Sequence, residues 1–124
     1  MGIIKEILPV QGDKKEEKLS VLFDSGASRS LIRSEIAKEL STPKELLIQR
    51  EFTAADGQKI ASKYFCDLIV EIEGKRIGIE AFLVDNLPVP LIFGALDLEA
   101  YLIKMDLAKG QLDLSEFTGS MLAL

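Results

Sequence analysis

The sequence predicts an all-β domain, a barrel or a sandwich. Short runs of apolar and β-branched residues recur along the chain, hairpin signals separate them at regular intervals, and only two short stretches carry helical spacing. The 124 residues fit a single domain, long enough to bury a core without disulfide or metal staples. Hydrophobic residues make up 48% of the chain, more apolar surface than a small monomer easily hides, which points to oligomerisation.

In chain order, Ile3–Val10 reads as a strand that Pro9 marks as an edge or an end. The charged run Gly12–Lys18 is a solvated turn. Leu19–Phe23, almost continuously apolar, reads as a second strand buried on both faces. Asp24-Ser25-Gly26-Ala27-Ser28 follows, then the apolar pair Leu31-Ile32. Ser34 is placed to cap a short helix with Ile36, Ala37 and Leu40 at helical spacing. Leu46–Phe52 and Ile60–Glu73 are strands around an Asp56-Gly57 hairpin signal. Glu73-Gly74-Lys75 turns the chain into Ile77–Val84, and a loop with Pro88 and Pro90 leads to Leu91-Ile92-Phe93, which stops at Gly94. Leu96–Leu102 is amphipathic and helical, and Ile103–Leu107 with Gln111–Leu114 forms a last hairpin. No internal repeat, linker or low-complexity segment is found.

Composition removes several classes of function. There is no histidine, which excludes Ser-His and Cys-His nucleophile systems and most zinc sites. A net charge of −5 without a basic cluster argues against nucleic acid as a partner. No stretch approaches the length of a membrane span, and the N-terminal residues lack the apolar core of a signal peptide. The single Cys66 reads as a small packing residue and favours a reducing, cytoplasmic setting. Carboxylate acid/base chemistry remains. Asp24 ends an apolar strand at a glycine turn and is the best-placed carboxylate for it.

Val21-Leu22-Phe23-Asp24-Ser25-Gly26-Ala27 resembles the catalytic turn of the retroviral-type aspartic proteases, the retropepsins, and Leu91-Ile92-Phe93-Gly94 resembles their second signature. Between them Ala54-Ala55-Asp56-Gly57 stands in the place of the family's flap. The resemblance implies a closed retropepsin-like (acid protease) barrel with one or two short helices over residues 1–114, with 115–124 a C-terminal tail available to a dimer interface. The chain has one Asp-Ser-Gly, so a pair of catalytic carboxylates implies a homodimer in which Asp24 of each subunit meets at the two-fold axis. Peptide or protein substrates are implied, and no cofactor or metal. Leu31, Val89, Leu91 and Ile92 are the expected walls of a hydrophobic substrate pocket, with Ser25, Gly26 and Ala27 supporting the catalytic turn.

Physical chemistry agrees with that assignment. Two neighbouring carboxylates cannot both ionise, so the pair holds one proton, and one member serves as base while the other serves as acid. Ala27 offers no hydroxyl to the outer carboxylate oxygen, which predicts a milder pH optimum than that of pepsin-like enzymes. Viral members carry an acidic residue two places after the turn glycine and an Arg directly after the second glycine, and these brace the dimer. Here Ser28 and Ala95 hold those places, so a different brace is expected, and the chain is closer to cellular and bacterial members. A dimer sheet would use Gln111–Leu114 or Met121–Leu124. The alternative function is a non-proteolytic retropepsin-like dimerisation or peptide-binding module.

Overall fold

The computed structural model describes residues 2–53 and 57–119, and the hairpin residues Ala54, Ala55 and Asp56 lie outside them. β1 (Ile3–Gln11) and β2 (Glu16–Asp24) form an antiparallel hairpin whose register pairs Ile3 with Asp24 and Gln11 with Glu16. β2 then runs parallel to β7 (Leu91–Phe93), placing Phe23 opposite Phe93. β7 pairs antiparallel with β3 (Leu31–Arg33), and β3 lies parallel to β6 (Lys75–Val84). β6 pairs along its length with β5 (Lys59–Ile72). The ring closes where Val10 and Gln11 of β1 meet Val70 and Ile69 of β5. The result is a closed six-stranded barrel, the expected fold class.

Alternation along the strands sorts side chains into the barrel. In β2, Leu19, Val21 and Phe23 are buried while Leu22 is only partly so; the strand has one core face, not the two that its composition predicts. Phe23 and Phe93 pack with ring centroids 5.0 Å apart and are fully buried. Two apolar clusters result. The larger, inside the barrel, includes Val10, Val21, Phe23, Ile32, Leu68, Val70, Leu91 and Phe93. The smaller is built on Leu31, Phe82, Val84 and Leu87.

β4 (Lys44–Thr53) lies outside the ring, paired to β5 with a register shift between Glu45 and Arg50. The β5–β6 turn places Glu73 at φ 49° and Gly74 at φ 78°, the left-handed backbone that a two-residue hairpin needs. α1 (Ser34–Leu40) buries Ala37 and Leu40. Its N-cap is Arg33 and no side chain caps it, so Ser34 is the first helical residue and not the cap that its residue type predicts. α2 (Ala95–Ala100) starts directly after Gly94. β8 (Lys104–Asp106) and β9 (Gln111–Asp113) form the final hairpin. Beyond it Phe117 stacks on Tyr101 at 6.2 Å, and Thr118 N–H donates to the Tyr101 carbonyl at 3.2 Å. Residues 120–124 lie outside the described range.

Candidate active site

Asp24 is the last residue of β2, so the barrel fixes its backbone while its side chain enters the loop above. Gly26 N–H donates to Asp24 Oδ1 at 2.8 Å, and Ala27 N–H donates to the Asp24 carbonyl at 3.2 Å. This turn orients the carboxylate with backbone groups alone. Ser25 is exposed; its hydroxyl accepts from Gly2 N–H at 3.4 Å. The hydroxyl therefore stands at the open end of the lobe, not inside it.

The loop after Asp24 is laced to the segment after β7. Ala95 N–H donates to the Ala27 carbonyl at 2.7 Å and Leu96 N–H to the Ser28 carbonyl at 3.1 Å. Ser30 is buried; its hydroxyl accepts from Gly94 N–H at 3.0 Å and donates to Asp97 Oδ2 at 2.5 Å. A Cβ on Gly94 would stand 2.4 Å from the Arg29 carbonyl carbon and oxygen, so no larger residue fits between the two segments. Leu91-Ile92-Phe93-Gly94 thus meets the Asp24 segment directly, with Phe93 against Phe23 and Gly94 against the loop from Ala27 to Arg29. Asp97 is 7% exposed, and burial holds its carboxyl above the usual carboxylate range, with Ser30's hydrogen bond and the charge of Arg29 acting in the opposite direction.

Asp24 opens onto a groove of about 750 Å³. Its walls include Ile3, Gly26, Ala27, Arg29, Leu31, Phe52, Thr53, Ile60, Leu87, Pro88 and Ile92. Of the expected pocket residues, Leu31 and Ile92 line it. Leu91 does not: it is fully buried in the barrel core, because successive residues of β7 face opposite sides. Val89 packs, partly buried, against the smaller cluster beneath the groove. β4 and β5 supply Phe52, Thr53 and Ile60 as a further wall, and Gly57 has φ 86°, with no described atom within 4 Å of where a Cβ would stand. Ala54, Ala55 and Asp56, expected at the flap tip, fall outside the described residues. Sequence reasoning passed over Ser30, Asp97, Arg29 and Phe52. Asp97 reads as an ordinary acidic residue of a helix's first turn, and only its contact with Ser30 distinguishes it. Among the described residues no group of three or more His, Cys, Asp or Glu is placed to hold a metal.

The family described as retroviral aspartyl protease matches residues 7–120. The chain belongs to that family. Two solved retropepsin structures share its fold. The protease of the equine virus EIAV, solved with the inhibitor HBY-793, is 19% identical, with 77% of this chain and 84% of that one covered and a TM-score of 0.59. The retroviral protease-like domain of Ddi1 from Leishmania major is 15% identical, with 99% and 96% covered and a TM-score of 0.63. Comparison with curated proteins gives no match. This retropepsin-family lobe carries one Asp-Ser-Gly turn, and no helix among its described residues is long and apolar enough to cross a membrane.

Proposed function

We propose that the chain is a homodimeric aspartic endopeptidase in which Asp24 of each subunit supplies half of the catalytic pair. The observation that carries this reading is the Asp24 carboxylate, anchored by Gly26 N–H at 2.8 Å and facing an apolar groove walled by β4 and β5. In the dimer one Asp24 is ionised and the other protonated, since two adjacent carboxylates share a proton. The ionised member takes a proton from water as the oxygen attacks the scissile carbonyl carbon. The protonated member gives its proton to the carbonyl oxygen. Collapse of the resulting diol breaks the C–N bond as a proton passes to the amide nitrogen. No cofactor takes part.

The peptide lies extended along the groove with alternate side chains in its walls, and the β4–β5 hairpin serves as the flap over it. Leu31 and Ile92 favour apolar side chains beside the cleaved bond. Residues 1–114 form the catalytic domain, and the segment from 115 contributes to the interface between subunits. The unpaired, buried Cys66 supports a reducing, cytoplasmic setting.

The deciding experiment compares peptide-library cleavage by the wild type and Asp24→Asn across about pH 3–8, with sedimentation of both. The expected result is a dimer whose hydrolysis falls by about 10²- to 10⁴-fold in the variant. Hydrolysis untouched by the substitution, or full activity from a 13.7 kDa monomer, would falsify the shared pair. Peptide binding without cleavage by either protein would assign the chain to the binding-module class instead.

A further inference from the structure

Two arginines converge on one buried ring in the apolar cluster that backs the groove. Arg29 Cζ lies 4.9 Å from the centroid of Phe82, and Arg50 Cζ lies 5.8 Å from it. Phe82 is 2% exposed and belongs to the smaller cluster, together with the groove residues Leu31, Phe52, Ile60 and Ile92. Arg29 itself lines the groove five positions after Asp24. Arg50 is exposed on β4, two residues before Phe52 and so on the same strand face, and the Phe52 ring packs 5.3 Å from Phe82. The two cations therefore come from separate segments, one from the loop after Asp24 and one from β4.

The ion pairs among the described residues are made by Lys15, Lys44 and Lys104, and no arginine takes part. Asp97 feels the charge of Arg29, but its hydrogen bond goes to Ser30. In a chain of net charge −5, two guanidiniums are gathered at one aromatic ring, and among the described residues no carboxylate is bound to either by an ion pair. A guanidinium lying over an aromatic face is held by the ring and keeps its in-plane N–H groups for a carboxylate, which they grip as a fork.

We propose that Arg29, which lines the groove, and Arg50, gathered with it at Phe82 beside the groove, form a subsite for an acidic side chain, so that the preferred peptides carry Asp or Glu flanking the apolar residues at the groove's centre. This inference rests on the groove being a peptide site. It does not require hydrolysis.

The test uses the full chain carrying Asp24→Asn, so that peptides bind without being cut. Fluorescein-labelled peptides with an apolar central pair carry a single Glu walked through the flanking positions, each matched by its Gln counterpart. At one or two positions the Glu peptide is expected to bind about tenfold more tightly than its Gln twin, with the ratio shrinking as salt rises. Added Arg29→Gln or Arg50→Gln is expected to bring the ratio toward one. Arg50 is exposed, so its substitution leaves a folded protein to measure even if loss of the Arg29 stacking unsettles Phe82. Equal binding of every Glu and Gln pair, a ratio that survives both substitutions, or no binding of any peptide overturns the subsite. Wild-type cleavage without acidic preference removes the subsite and leaves the protease. Selective binding without wild-type cleavage removes the protease and leaves the subsite.

Discussion

The Ser30 hydroxyl donates to Asp97 Oδ2 at 2.5 Å while accepting from Gly94 N–H at 3.0 Å, so one buried side chain joins the loop after Asp24 to the glycine that ends β7. The viral brace between an acidic residue and an arginine is missing from Ser28 and Ala95. Here the two signatures are held together within the lobe by this pair and by the backbone bonds of Ala95 and Leu96.

Removing that hydroxyl leaves a buried carboxylate oxygen and a backbone N–H without their partner. Ser30→Ala is expected to lose about 1–3 kcal/mol of stability by chemical denaturation. On the proposed function Ser30 is a positioning residue for the loop after Asp24, so kcat is expected to fall about tenfold with KM little changed, and Ser30→Thr, which keeps a hydroxyl, to recover most of it. Equal loss with Thr and Ala would separate the hydroxyl from the effect.

Asp97 also gives stability a pH dependence of known sign. Burial, the main cause, and the charge of Glu80 raise its pKa from 3.8, against the opposing effects of Ser30 and Arg29. The folded state thus holds the proton more tightly than the unfolded one. The contribution of Asp97 is full below the unfolded value and is lost as pH rises through the raised folded value. Asp97→Asn keeps an acceptor for Ser30 and cannot ionise. Its stability relative to wild type is expected to improve as pH rises from about the unfolded carboxylate value through the raised folded value of Asp97, and then to level off, in denaturation series. A difference independent of pH would contradict this assignment.

At Gly94 the obstacle is backbone, not a side chain that can swing away. Gly94→Ala drives its methyl to 2.4 Å from the Arg29 carbonyl, and the variant is expected to lose about 3 kcal/mol or more, or to fail to fold. A melting temperature within a degree or two of wild type, on the order of a 0.5 kcal/mol change, would show that the segments can part without penalty.

Cys66 is fully buried, and burial, helped by the charges of Asp67 and Asp13, pushes its thiol up to about 12. The folded protein is expected to resist thiol reagents at mildly alkaline pH and to react fully once denatured, because the thiolate is the reactive form. Mass spectrometry after brief alkylation checks this. Rapid labelling of the native protein would place Cys66 at an opening seam.

Much of the barrel was legible because its turns announce themselves. Glu73-Gly74 marks a reversal, and the strands read from Ile60 and from Ile77 lie on either side of it as β5 and β6. Short elements were harder. Leu31-Ile32 reads as a mere apolar pair, yet it is the core of β3, whose pairing with β6 and β7 is set by residues far along the chain. The continuous apolar run in β2 concealed a one-sided strand, since Leu22 faces away from the core that Val21 and Phe23 fill. Within the site, Asp24 and Gly94 are legible because their residue types are demanded by chemistry and by space. Leu91 and Ile92 are equally apolar in sequence, and only β7's pairing decides which of them meets the groove. Ser30 and Asp97 carry no local signal, because a polar pair becomes informative only when folding buries both members together.

The parallel pairing of β2 with β7 carries a consequence for how the site comes into being. The strand bearing Asp24 pairs early with β1 but finds its second neighbour only in Leu91–Phe93, and the loop above it is tied down by residues from Gly94 to Asp97. During synthesis, therefore, the nascent chain holds its carboxylate for most of its length as an ordinary solvated aspartate on an unfinished hairpin. Assembly of the site waits for long-range closure, the slow kind of contact to make. A ribosome stalled before that point releases a fragment with the signature motif and none of its geometry.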